Sequence, residues 1–338
     1  MNKSCLIGFL MCSAFSLVVQ AATDGAHITK TISQIERKKG IKRTIQYRPD
    51  GNDFVCVNGK NRYTRALYGG ITDFRIETSD RPVFAAYKPK DSKHICFRLQ
   101  CGNQSIALDS LKFCEARYRA GRRTYRLTDP LLGKGELNIS VLAFPDAEGG
   151  IWRFTMKDMP EGALLHCYIS EIRAKNLSRN GDMGADRADS FDAPQLPKEQ
   201  KHYKLSLDGT TAYIVVEDQE LRLPALVEGT SLYDKSEKWR SEIESSLQIS
   251  TPDPLGGALA AAADGIWDGK IWLHGAIGWR SQLNGWRAAY IGDFIGWHDR
   301  ARTHFDSYAA SQVTDVPATI PHPTQDTALH LARSVKKW

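Results

Sequence analysis

Five of the eight tryptophans in this 338-residue chain fall between Trp267 and Trp297, interleaved with glycine, arginine, histidine and aspartate. They stand in Trp267-Asp268-Gly269, Trp272-Leu273-His274-Gly275, Gly278-Trp279-Arg280 and Gly285-Trp286-Arg287, with Tyr290 close behind, and in Gly292-Asp293 through Gly296-Trp297-His298-Asp299-Arg300. An indole face packs against the C–H face of a sugar ring, Asp, Arg and His hydrogen-bond its hydroxyls, and glycine lets the backbone come close. The segment therefore suits a carbohydrate subsite, with Trp267, Trp272, Trp279, Arg280, Trp286, Arg287, Tyr290 and Trp297 as substrate-binding candidates. The same density also suits a packed interface between two parts of the molecule.

From residue 245 onward every acidic side chain is an aspartate. Asp253 is placed to cap a helix, Asp306 and Asp326 fall on helical stretches, and Asp268, Asp293 and Asp299 lie within the tryptophan cluster. Glycoside hydrolysis uses two carboxyl groups, about 5–5.5 Å apart for retention and about 6.5–9.5 Å apart for inversion. Asp293, directly after Gly292, is the first catalytic candidate, with Asp299 and His274 beside it. The alternative for Asp293 is an ion pair with Arg280, Arg287 or Arg300 that orders the loop. For His274 and His298 the alternative is a hydrogen-bonded structural role. The arginines hint at an anionic glycan, because guanidinium pairs bidentately with carboxylate.

Other chemistries are absent from the pattern. There is no Gly-rich phosphate loop, no H-E-x-x-H pair and no G-x-S-x-G elbow, which argues against nucleotide enzymes, zincins and α/β-hydrolases. A formal charge of +6 with acids and bases interleaved gives no case for nucleic acid. No cofactor is implied beyond calcium, for which the polar stretch with Asp182, Asp186, Asp189 and Asp192 clusters hard oxygens without EF-hand spacing.

The elements that must position these residues fall into two regions. Short strands are expected at 44–47, 54–57, 83–87, 95–99, 124–127, 137–144, 151–156, 164–172, 203–207 and 212–217, with turn chemistry at Asn58-Gly59, Gly149-Gly150 and Asp208-Gly209. Many strands and few helices imply a large antiparallel β-sandwich over 22–250. After Pro252 the pattern turns helical, at 255–264 behind Asp253 and Pro254, at 299–311, and at 324–338. The last helix shows no C-cap before Lys336-Lys337-Trp338, the expected look of a fragment.

Lys3, the apolar run from Cys5 to Val19 and the small residues Val19 and Ala21 form the pattern of a cleaved export signal over 1–21. A periplasmic or extracellular protein is expected, and no later run reaches the roughly 18 apolar residues of a membrane helix. Five cysteines remain, Cys56, Cys96, Cys101, Cys114 and Cys167, in no zinc spacing. Cys96 and Cys101 would bridge if they sat on neighbouring strands; otherwise these are small buried apolar residues.

This layout resembles the secreted six-hairpin glycosidases, the (α/α)6-toroid proteins of bacterial polysaccharide-utilisation systems, and in particular an uncharacterised family of them. The likeness rests on Arg65-Ala66-Leu67-Tyr68-Gly69-Gly70 in the sandwich, and on Thr251-Pro252-Asp253-Pro254 and His274-Gly275 through Gly285-Trp286-Arg287 at the toroid entry. It implies an N-terminal sandwich followed by the first helices of a toroid (251–338), with catalytic carboxylates in the helical part. Residues 252–338 are far fewer than a complete toroid needs. The implied function is hydrolysis of a polysaccharide or oligosaccharide. The alternatives are a polysaccharide lyase, with His274 or Tyr290 taking the proton α to a uronate carboxyl, and a non-catalytic glycan-binding protein.

Overall fold

The computed structural model describes residues 46–71, 74–88, 90–119, 121–177, 188–243, 267, 272, 289, 292–293 and 296–310. Among these the strands are β1 (Arg48–Asp50), β2 (Asp53–Val57), β3 (Arg65–Tyr68), β4 (Arg75–Thr78), β5 (Val83–Tyr87), β6 (Lys93–Cys101), β7 (Gln104–Ala107) and β8 (Phe113–Arg119). They continue as β9 (Arg122–Thr128), β10 (Glu136–Ala143), β11 (Gly149–Lys157), β12 (Leu164–Glu171), β13 (Gln200–Ser206), β14 (Thr211–Glu217) and β15 (Glu220–Arg222). Two helices follow, α1 (Leu226–Ile243) and α2 (His298–Ala310).

The strands form two antiparallel sheets. One is ordered β1-β2-β8-β9-β10-β11-β14-β15; the other is β13-β12-β6-β5-β4-β3, with β7 beside the second half of β6. The core lies between them, because alternate side chains of each strand point inward. On β11, Trp152, Phe154 and Met156 enter the core, while Ile151 belongs to a second cluster on the other side. Phe84 from β5 is the hub. Its ring meets Phe97 of its own sheet, and Tyr125 and Trp152 of the facing sheet, edge-on at 5.8, 5.7 and 5.6 Å.

Helix α1 covers the outer face of the larger sheet. Its buried positions are Gly229, Tyr233, Ser236 and Arg240, one helical stripe. Tyr233 packs with Leu142, Ile151, Tyr213 and Val215, its hydroxyl 2.7 Å from Ser140 Oγ and its ring 3.8 Å from the Arg153 guanidinium. Gly229 is fixed by close approach, since a Cβ there would lie 2.4 Å from the Tyr213 ring. The Gly69-Gly70 pair has the same cause, because β3 ends against the β10–β11 loop. A Cβ on either glycine would fall 1.9 Å from a backbone oxygen, of Phe144 or Pro145.

Several sequence expectations need correction. Of the strand placed at 44–47, residues 44–45 lie outside the described residues and 46–47 are not in a strand; β1 begins at Arg48, which pairs with Val55. Gly149 and Gly150 are not a turn but the first residues of β11, where a Cβ would strike Val216 O at 2.4 Å or Ile76 Cδ1 at 2.3 Å. Cys96 and Cys101 share one strand, β6, so five residues of extended chain, roughly 16 Å, separate them and no bridge is possible. All five described cysteines are free thiols. Burial pushes the Cys96 thiol up to about 11 and Cys114 up to about 12, which leaves them protonated and inert. Strands β3, β4, β7, β8 and β15, and helix α1, are additions to the expected set. The helix placed at 299–311 is present as α2, while those at 255–264 and 324–338 lie outside the described residues.

Candidate functional site

The aromatic cluster forms by local folding around Trp272. An antiparallel bridge joins Trp267 to Trp272, and their rings meet at 4.6 Å, tilted 52°. Trp297 stacks on Trp272 at 6.3 Å and 17°. Gly292 permits that stack, because a Cβ there would come within 2.6 Å of Trp272 Cη2. The chain then turns tightly: the Gly296 N–H donates to Asp293 O at 3.1 Å and the Trp297 N–H to Gly292 O at 2.8 Å, with Gly296 at φ +95°. That positive φ is glycine territory.

Helix α2 starts from this turn and supplies the other wall. Arg300 places its guanidinium 5.0 Å from the Trp297 ring centre and 5.7 Å from that of Trp267. One turn later, His304 is completely buried beside Trp272, its Nδ1 accepting the Trp272 backbone N–H at 3.2 Å. Burial lowers the His304 pKa to about 4, so it is a neutral acceptor at physiological pH. Arg240 of α1 ties the cluster to the sandwich, donating to Trp267 O at 3.4 Å. Its side chain also passes over Gly121 in the β8–β9 hairpin, where a Cβ would lie 2.1 Å from Arg240 Nε.

The sequence candidates separate by position. Trp267 and Trp272 are buried, at 4% and 2% exposure, and hold the inside of the cluster. Trp297 is half-buried, so one part of its ring faces outward. Asp293 is exposed at the lip, and His298 Nδ1 is 2.7 Å from its Oδ1. Among the described residues its carboxylate meets this histidine, while Arg300 stacks on the indoles; Arg280 and Arg287, the other ion-pair candidates, lie outside the described residues. Asp299 is exposed in the first turn of α2, where a negative charge suits the helix dipole. His274, Trp279, Arg280, Trp286, Arg287 and Tyr290 lie outside the described residues.

Two residues of this cluster escaped the sequence reasoning. His304 falls four residues after Arg300 and seven after Trp297, on one helical face, and that spacing was the available signal. Arg240 sits on a helix that was not anticipated.

Of the four aspartates weighed for calcium, Asp182 and Asp186 lie outside the described residues. Asp189 accepts from Arg173 at 2.8 Å, and Asp192 from Arg62 at 2.5 Å and the Tyr63 hydroxyl at 2.8 Å. These two carboxylates clasp a loop to the sheet.

No helix among the described residues is long and apolar enough to cross a membrane. Residues 89–216 match the model of a domain of unknown function, DUF4450. No curated protein matches the chain. The matched stretch runs from just before β6 into β14, so it lies within the two-sheet sandwich and stops short of the aromatic cluster.

Proposed function

We propose that the chain is an exported, carbohydrate-active protein: a glycoside hydrolase of the six-hairpin type, or the N-terminal portion of one, whose sandwich precedes a helical toroid beginning near residue 251. The observation that carries this is the exposed Asp293–His298 pair, 2.7 Å apart, on the lip of a cluster whose outer ring, Trp297, is half open. A carboxylate and an imidazole beside an indole face are acid–base groups next to a sugar platform. In this role Asp293 gives a proton to the glycosidic oxygen or takes one from the attacking water, and Asp299 or another carboxylate completes the pair. Trp297, with Trp279, Arg280, Trp286 and Arg287, holds the sugar. The export signal expected at 1–21 supports work outside the cytoplasm.

The test is a reducing-sugar screen of the full chain over plant and host glycans, repeated with Asp293→Asn. Release of reducing ends by the native chain and its loss in Asp293→Asn, with an unchanged melting temperature, is the expected result. An unsaturated product absorbing in the near ultraviolet would instead make the protein a lyase. Unaltered turnover in Asp293→Asn would remove Asp293 from the chemistry.

A further inference from the structure

Away from the aromatic cluster, one end of the sandwich opens into a groove of about 700 Å³, within the range of small-ligand sites. It forms where β5 ends, β6 and β13 begin and β12 runs out toward Glu171, and the β14–β15 turn closes it. That turn is two residues long, because Glu217 pairs with Glu220. Both of its residues take positive φ, Asp218 at 48° and Gln219 at 64°. A primed turn of this kind suits Asn-Gly or Asp-Gly, so glutamine in the second position is costly.

Gln219 is also 4% exposed, and among the described residues neither its Oε1 nor its Nε2 has a hydrogen-bond partner. A buried amide with both ends unanswered destabilises the fold unless something in the groove answers it. A ligand in the groove carrying an adjacent donor and acceptor answers it once the side chain turns out to meet that ligand. Two neighbouring sugar hydroxyls match that amide.

The rim supplies the second observation. Most of its charges are already engaged: Lys93 with Asp91, Arg173 with Asp189, Lys201 with Glu220, and the Glu171 carboxylate with the backbone N–H groups of Lys198 and Glu199. Among the described residues this leaves Lys90, Lys175 and Lys198 without an ion pair, against Glu171 and Glu199, so three cations face two carboxylates. Tyr87, Ile169 and Ile172 give the groove an apolar wall for the ring faces.

We propose that this groove binds an acidic oligosaccharide, with Gln219 pairing to neighbouring hydroxyls and Lys90, Lys175 and Lys198 answering its anionic groups. The proposal rests on the carbohydrate function above for the class of ligand, and places a second glycan site on the sandwich.

Calorimetric titration of the full chain with a galacturonate hexamer, a chondroitin sulfate hexasaccharide and neutral cellohexaose tests it. At least one anionic probe should bind, cellohexaose at least tenfold more weakly, and the preferred anion tells uronate from sulfate recognition. Gln219→Ala should weaken that binding at least tenfold without lowering the melting temperature. Gln219→Gly, which suits the positive φ, is the check should Gln219→Ala fold poorly. Lys90→Ala with Lys198→Ala should flatten the salt dependence. Equal binding by Gln219→Ala or Gln219→Gly and the native chain, equal binding of cellohexaose, or no binding by any probe would overturn the groove as a site. If Trp297→Ala abolishes binding and Gln219→Ala does not, the groove falls and glycan recognition at the cluster stands. If Gln219-dependent binding persists while no glycan is cleaved, the groove stands and the hydrolase falls.

Discussion

The sandwich and the aromatic cluster are held together in opposite ways. In the sandwich each core ring is answered from far away in sequence: Phe84 meets Tyr125 and Trp152 across the two sheets. In the cluster, Trp267, Trp272, Gly292, Trp297, Arg300 and His304 come from one short stretch, and Arg240 ties them to the sandwich. A network of long-range contacts fails as a whole when an interior member is lost. A local cluster of this kind should loosen alone. This difference separates scaffold from site, because surfaces that bind and release ligands come from the less stable parts of a fold.

The largest effect should follow from breaking the sandwich's own interior pair. Arg75 and Glu77 alternate on β4, each 2% exposed in its side chain, with Arg75 Nε 2.5 Å from Glu77 Oε1 and its guanidinium 3.7 Å from the Tyr87 ring centre. Burial pushes Glu77 up and Arg75 pulls it back, so the carboxylate owes its charge to the arginine. Glu77→Gln removes the carboxylate beside that buried cation and should cost about 3–5 kcal/mol of global stability, read as a large fall in the denaturant midpoint. In the cluster, Trp272→Ala should cost about 3–5 kcal/mol, but confined there: hydrogen exchange should speed in α2 while β5, β6 and β11 stay protected. Global unfolding by Trp272→Ala would erase the distinction between the two regions.

Acid should draw the same line more gently. His304 is held at about 4 by burial, below its ordinary 6.5, so the unfolded cluster takes up a proton before the folded one does. Its contribution is complete above about pH 6.5 and is lost as the pH falls toward 4, up to about 3 kcal/mol in all. Exchange in α2 should therefore rise across that window, and His304→Gln should flatten the rise. His94 in the sandwich is lowered by burial in the same direction, so β6 should respond too, but within the global unfolding.

How much of this was legible follows the same contrast. Strands such as β11 and β14 show in sequence because their inward residues are apolar and alternate. Strand β4 does not, because Arg-Ile-Glu-Thr places two charges inside that only the fold can pair. Helix α1 has a regular buried stripe, but its members are Gly229, Tyr233, Ser236 and Arg240, and no hydropathy pattern announces that face. The tryptophan cluster was visible as composition, whereas the burial of Trp267 and Trp272 depends on His304 and Arg240 closing over them. Gln219 carried no signal at all, since its meaning lies in a turn conformation and an unanswered amide.

The tether itself gives a smaller prediction. Gly121, at φ +67°, lies directly beneath the Arg240 side chain. Gly121→Ala adds a strained φ and a clash, and should cost about 1–3 kcal/mol, shifting Arg240 off Trp267 O. The cluster should then exchange faster with the sandwich core unchanged. Arg240→Ala should reproduce that loosening without the backbone strain, which separates the tether from the hairpin.

The smallest structural effect belongs to the pair on which the proposed chemistry depends. His298 and Asp293 are 67% and 60% exposed, so their contact belongs with surface pairs worth about 0–1 kcal/mol. His298→Ala should leave the melting curve and the exchange pattern of α2 where they were. If Asp293 works on a substrate, the same variant should lower kcat with little change in KM, because the carboxylate loses the imidazole that orients it. A pair that only ordered the lip would do the reverse: faster exchange at the start of α2, with any turnover unaltered. Stability and chemistry thus part at one histidine, and the side on which the change falls decides whether the lip of the cluster is a fold feature or a working site.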